Sequence, residues 1–284
     1  MNFLKSGVFK FIILIVILIT ALFLYSKYLG PTGLEVREYR VDSDVLTSNF
    51  SGLKVVHFSD LLYGSTVDID DVKNIVKRIN ILKPDIVLFT GDLISNNYKF
   101  SINDKDKLIE QLSSINASIG KYAIYGDADY SISSYDSIMS KSAFKILNNS
   151  YEEIFYKNND PMYIVGIPSS LKEKVDLDKS FEFYSDEDRH YTIVMVHEGK
   201  SIKYLDNSTY EVDLILGGHS LNGSIRLPLI GGLIIDKDSY KYYDKYYEKG
   251  ITNIFISGGI GTNEYEYRLL NKPSINFYRL KAQA

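Results

Sequence analysis

Short apolar runs recur along this chain, and five of them end in an acid or an imidazole. They are LKVVHFSD (53–60), DIVLFTGD (85–92), KYAIYGD (121–127), YTIVMVH (191–197) and VDLILGGH (212–219). Runs of this length, rich in branched residues and closed by turn residues, read as buried strands. Between the first two, Val72, Ile75, Val76, Ile79 and Leu82 recur at helical spacing over 70–82, and Pro84 closes that helix. Strand, helix and strand in that order form a βαβ unit, which sets the two strands parallel. A helix over 107–115 and strands over 162–167 and 253–259 continue the pattern, and INFYRL (275–280) is expected as a terminal edge. Helical spacing is thin in the second half, so a mixed sheet layer is expected there. The Tyr-rich stretch 240–247 reads as a surface loop or short helix. No repeat or long linker divides the chain, and one α/β domain over 53–284 is the economical reading.

Composition narrows the function. With 284 residues, 45% of them apolar, the chain can bury a large core. A formal charge of −4 argues against a general nucleic-acid binder, which needs a basic face. The absence of cysteine excludes a disulfide framework, a thiolate metal site and a cysteine nucleophile.

The run FIILIVILITALFLY (11–25) carries no charge. A membrane span needs about 20 apolar residues, and extending the run back to Gly7, with the Lys10 amine reaching to the interface, supplies most of the difference. A transmembrane anchor is therefore expected over 8–28, with a tail over 1–10 and a tether over 29–52 that starts at the helix-breaking Gly30-Pro31-Thr32-Gly33. A cleaved signal peptide fits the same Lys-bearing start, but Phe23, Leu24 and Tyr25 are bulky where a cleavage site needs small residues. Lys5, Lys10 and the terminal amine precede the run. Charge asymmetry then predicts a single-pass cell-membrane protein with a cytoplasmic N-terminus and an extracytoplasmic main domain.

The strand-end residues carry the chemistry. Asp60, Asp92, Asp127, His197 and His219 each follow an apolar run, and in open α/β sheets the carboxyl ends of strands converge on the ligand crevice. Any one of them can be read as turn chemistry. Three carboxylates and two imidazoles together favour a hard or borderline metal ion, which would neutralise them. His57, inside the first strand, reads as a packed core imidazole, and His190, in DEDRHY, as a solvated loop residue.

These residues resemble the calcineurin-like metallophosphoesterases, in particular the membrane-anchored bacterial type. That family's blocks run D-x-H, G-D, G-N-H-D, a lone His after a strand, and G-H-x-H. Here they stand in order as Asp60-Leu61-Leu62, Gly91-Asp92, Gly126-Asp127-Ala128-Asp129, His197, and Gly218-His219-Ser220-Leu221. The segments 218–232 and 256–275 look like the family's C-terminal blocks. The resemblance covers about 53–280 and implies a four-layer α/β/β/α sandwich with metals between the sheet ends.

The departures are selective. The resemblance assigns one metal to the positions of Asp60, Leu62, Asp92 and Leu221, where both family imidazoles have become leucine. It assigns the other metal to Asp92, Asp127, His197 and His219, all of which can still coordinate. The family's acid position is Ala128, so no catalytic residue is assigned; Asp60 is a vestigial ligand and Asp129 a group that orients the others. Where the family often has an arginine, this chain has Gly259. Loss of a general acid alone costs about 10²–10⁴ in rate, and a two-metal site loses more when one Lewis acid goes. The expectation is one divalent ion (Mn, Fe or Zn), with two only if an unseen side chain completes the second site. On this reading the chain is a pseudoenzyme with weak or no phosphoesterase activity. An active hydrolase of envelope phosphate esters and an interaction module with an empty site are the alternatives.

Overall fold

The computed structural model describes residues 7–239, 241–263 and 265–283. Much of the expected N-terminal tail, Lys5 included, lies outside the described residues, as does Tyr240.

The chain begins with α1 (Gly7–Leu24), which continues through one π-helical turn, Tyr25–Leu29. The helix is 23 residues long in all, about 35 Å at 1.5 Å per residue. By length and composition it can cross a membrane, and no residue of α1 is buried.

The first sheet takes β1 (Glu35–Ser43), β2 (Lys54–Phe58), β3 (Ile86–Phe89), β4 (Gly120–Ala123) and β5 (Lys145–Ile146). The second takes β6 (Ser150–Ile154), β7 (Met162–Gly166), β8 (Thr192–Met195) and β9 (Leu214–Gly217). A small hairpin follows, β10 (Arg226–Leu227) with β11 (Gly231–Gly232). Then β12 (Tyr246–Lys249) and β13 (Thr252–Ile256) complete the second sheet, and β14 (Ser274–Ala282) returns to the first. The strand orders are β1-β14-β2-β3-β4-β5 and β12-β13-β9-β8-β7-β6.

Alternation of side chains along the strands builds the layers. Val56, Val87 and Phe89 face α2 (Ile69–Leu82), α3 (Ile102–Ser113) and α4 (Tyr135–Lys141) in one apolar cluster. Their neighbours Val55, Ile86 and Leu88 point the other way, against Ile164, Ile193 and Leu214 of the second sheet. On the far face Val165, Val194 and Ile215 pack under Phe181, which follows α5 (Leu177–Ser180), and under Ile202 and Leu205 of α6 (Ile202–Asp206). The architecture is therefore the expected four-layer α/β/β/α sandwich. The helices of the fourth layer are four and five residues long, which agrees with the thin helical signal of that half.

The βαβ unit forms as read. Asp68 and Asp71 make a capping box at the start of α2, the helix buries Val72, Ile75, Val76 and Ile79, and β2 pairs with β3 in parallel. Three readings need correction. β14 is no edge: β1 lies outside it, paired in parallel over nine residues from Glu35–Ser274 to Ser43–Ala282, so the tether segment supplies the edge strand. In the Tyr-rich stretch Tyr242 is buried, and residues from Tyr246 form an edge strand on β13. His190 is mostly covered, held between Asp160 and Asp188 at 3.4 Å from each.

Candidate metal centre

Within each sheet the strands that carry the acids and imidazoles are parallel, β2–β3–β4 in one and β8–β9 in the other. Their carboxyl ends therefore share a rim, the place where an open α/β sheet binds ligands. The backbone turns left-handed directly after these strands, at Asp60 (φ 50°), Asp92 (φ 60°) and His219 (φ 64°). Such a conformation is costly for non-glycine residues and concentrates at functional sites. Gly91 and Gly126 let two of the loops touch. A Cβ on Gly91 (φ +95°) would lie 2.2 Å from the Gly126 nitrogen, and one on Gly126 would lie 2.2 Å from Asp92 Oδ1.

Four of the expected residues converge. One ligand atom from each of Asp92, Asp127, His197 and His219 lies within 4.8 Å of every other. His197 is fully buried, and its Nδ1 is 2.7 Å from the Thr90 carbonyl, which fixes the proton on that nitrogen. Nε2 faces the cluster, 3.4 Å from Asp92 and 3.3 Å from Asp127, and offers a lone pair to a metal once its proton is displaced. A backbone carbonyl orienting an imidazole in this way is the usual support of a ligating histidine. His219 offers Nδ1, 3.3 Å from His197 Nε2 and 3.4 Å from Asp127. Asp92 accepts the Ala128 N–H at 3.0 Å, so residue 128 contributes backbone alone.

The carboxylates and imidazoles of the quartet shift one another's protonation strongly. Burial opposes charge on His219, yet hydrogen bonds to Asp127 and Asp236 push it up to about 10. His197 moves the same way, against burial, through Asp92 and Asp127. Burial works to raise Asp127, and its hydrogen bonds to the two imidazoles overcome that and hold it well below the usual carboxylate range.

Two further acids have distinct places. Asp129 is fully buried and accepts three backbone N–H groups, from Asp92 (2.7 Å), Leu93 (2.9 Å) and Gly126 (2.8 Å). It ties the loops after β3 and β4 together. Burial and the adjacent Asp92 push it up to about 8. Asp60 is also buried, and both of its oxygens lie near the His219 N–H, at 3.1 and 3.0 Å.

Two leucines stand where the resemblance expects imidazoles. Leu62 and Leu221 are both buried, at left-handed backbone positions (φ 45° and 48°). Sequence reasoning missed what stands behind them, the fully buried guanidinium of Arg268. A Cβ on Gly259 would meet Leu221 Cδ2 at 2.2 Å, Asp60 Cβ at 3.1 Å and Arg268 Nη2 at 3.5 Å, so all three groups crowd one point. Arg268 Nη1 donates to the Gly258 carbonyl at 2.9 Å and Nη2 donates to that of Gly261 at 2.5 Å, while Nε has no hydrogen-bond partner among the described residues. Burial pulls its pKa down and the Asp60 charge opposes that. A lone arginine in an aperiodic segment gives no sequence signal of this role. His57, by contrast, is the core imidazole expected, hydrogen-bonded to Thr90 Oγ1 at 2.9 Å and pushed down to about 3 by burial.

Asp92, Asp127 and His219 of the quartet line a cavity of about 590 Å³ that also meets Leu62, Asn96, Asn97, Ile234 and Tyr265, with His197 buried beneath them.

The fold and the strand-end quartet are those of a phosphoesterase, and residues 53–223 match the calcineurin-like phosphoesterase family, to which the chain belongs. Among named relatives, an uncharacterized metallophosphoesterase of Bacillus subtilis, YkuE, is 31% identical over 91% of this chain and 89% of its own. A UDP-2,3-diacylglucosamine pyrophosphatase, LpxG of Chlamydia muridarum, is 24% identical over 72% of this chain and 74% of its own. A zebrafish (Danio rerio) transmembrane protein with a metallophosphoesterase domain is 23% identical over 78% of this chain and 52% of its own.

Proposed function

We propose that this is a membrane-anchored member of the family whose Asp92, Asp127, His197 and His219 hold one divalent metal ion (Mn, Fe or Zn). The second site is lost and phosphoesterase activity is weak or absent. The observation that carries the reading is the contrast between the two halves. One offers two carboxylates and two imidazoles with a fixed tautomer. The other offers Leu62 and Leu221, which have no lone pair, beside a buried guanidinium that repels a second cation.

The fit differs between halves accordingly. A metal at the quartet would supply Lewis acidity and a bound water. Asp129 would hold Asp92, and Thr90 would hold His197. Ala128 places a methyl group where a proton donor would assist a leaving group. On this reading α1 is the uncleaved anchor, the tail 1–10 is cytoplasmic, and the domain 53–284 stands outside the membrane. An active hydrolase remains the second reading, favoured by the relative named as a pyrophosphatase and by the size of the cavity.

Elemental analysis of the purified protein tests the site. About one metal per chain is expected, falling toward zero in Asp92→Asn. A ratio near two would return the chain to the active enzymes, and a ratio near zero in the unmodified chain would leave only the interaction module.

A further inference from the structure

The hairpin that follows His219 carries the most exposed apolar surface of the domain. From Leu227 to Ile235 the sequence LPLIGGLII has no polar side chain. Leu229 is 108% exposed, Ile230 67%, Leu233 51% and Ile234 53%, and Leu270 beside them is 59% exposed. Scattered apolar residues on a surface are ordinary, but a contiguous patch of this kind marks an interaction face.

The hairpin is joined to the anchor through a single segment. Residues 267–270 bond to the end of the anchor on one side, where the Arg268 N–H donates to the Ser26 carbonyl at 2.8 Å. They bond to the hairpin on the other, where the Arg226 N–H donates to the Leu269 carbonyl at 3.0 Å. The Tyr267 ring lies 5.3 Å from that of Phe23, which belongs to α1 itself. If α1 crosses a bilayer, Phe23 lies within its interfacial depth, and Tyr267 must lie there too. Tyrosine rings favour that depth.

The cavity of the metal centre shares these residues. Tyr265, Tyr267, Ile234 and Ile235 line it together with Asp127 and His219. Ile234, Ile235, Tyr265 and Tyr267 give one side of the cavity an apolar and aromatic wall, while Asn96, Asn97, Lys237 and Asn263 keep the rest of it polar.

We infer that the hairpin 227–235 is a second membrane contact, which sets the mouth of the cavity against the bilayer, and that the ligand is a phosphate ester carried on a lipid. The polar head reaches the quartet while the chains stay in the bilayer. This rests on the reading of α1 as an anchor and of the quartet as a metal site that takes a phosphate ester; the docking test needs neither metal nor turnover, and the ligand titration is made with the Mn²⁺-loaded chain.

The chain contains no tryptophan, so one introduced indole reports its own surroundings. Leu229→Trp, Tyr265→Trp and Ile81→Trp, all at exposed positions, are made in the full chain and reconstituted into phosphatidylcholine vesicles with and without brominated acyl chains. Flotation with the vesicles reports the anchor separately. Bromolipid is expected to quench the indoles at 229 and 265 at least twofold and to leave that at 81, on the outer face of α2, unchanged. A chain that floats with an unquenched indole at 229 overturns the docking face and leaves the anchor standing. Quenching at 229 without quenching at 265 overturns the placement of the mouth. A chain that does not float overturns docking and anchor together. For the ligand, emission of Tyr265→Trp is titrated with dibutanoyl phosphatidic acid and with glycerol 3-phosphate, the same head without chains. The lipid form is expected to half-saturate at least tenfold lower, and equal responses, or none to either, overturn the lipid assignment.

Discussion

Asp129 shows how one buried side chain can frame a site without entering it. Its two oxygens take three N–H groups from two different loops. Each buried donor left without a partner costs about 1–3 kcal/mol. Asp129→Ala is therefore expected to lose at least about 3 kcal/mol in urea unfolding, with Asp129→Asn, which keeps one acceptor oxygen, in between. A loss below about 1 kcal/mol would mean that the loops after β3 and β4 find other partners and that Asp129 is no frame. The residue was legible from sequence because it stands two places after Asp127, at the end of a strand. Its actual partners were not, because Asp92 and Leu93 are more than thirty residues away and nothing local links them to it. Arg268 is the harder case. A buried guanidinium beside Asp60 and Leu221 is visible only once three segments, around residues 60, 221 and 259, are brought together.

At the scale of elements, the joint between α1 and the domain includes one very close backbone approach. A Cβ on Gly30 would lie 1.7 Å from the Arg268 carbonyl oxygen, so the turn after the π-helical segment can close on the domain only with glycine there. Because the clash is with backbone, Gly30→Ala must shift the segment that carries Arg268 and Tyr267. Overpacking of this kind costs about 1–3 kcal/mol. The thermal midpoint should fall by at least about 2–4 °C, and the indole of Tyr265→Trp should report an altered mouth in the same background. An unchanged midpoint would show that the end of α1 and the domain are only loosely joined. Central strands such as β3 were readable because continuous apolar runs announce burial on both faces. The place of β14 was not readable. Its partner β1 is written EVREYRVDS, largely polar, and looks like linker until it is paired with a segment some 240 residues later. Parallel pairing at that distance leaves no local trace.

For the whole molecule, the quartet couples stability to protons, and a metal held there would enter the same balance. The signs can be worked out group by group. His219 is raised to about 10 in the fold. Its stabilising contribution is present in full below the ordinary imidazole value of about 6.5 and is lost as pH rises through about 10. Asp129, raised to about 8, adds a loss in the same direction between the ordinary carboxylate value and about 8. Asp127 is lowered, so its contribution is present above the ordinary carboxylate value and is lost as pH falls through its folded value. Without metal, the cluster therefore favours the fold most strongly in mildly acidic solution and weakens as the solution becomes alkaline. A divalent ion held as proposed would replace the protons on His197 and His219 and satisfy the same carboxylates, so its uptake would release protons and strengthen with pH. In chelator, the urea midpoint should fall between pH 6 and pH 9, and the additional stability conferred by Mn²⁺ should grow over that interval. A Mn²⁺ increment that stays constant with pH would mean that the ion binds without displacing those protons, and so away from His197 and His219.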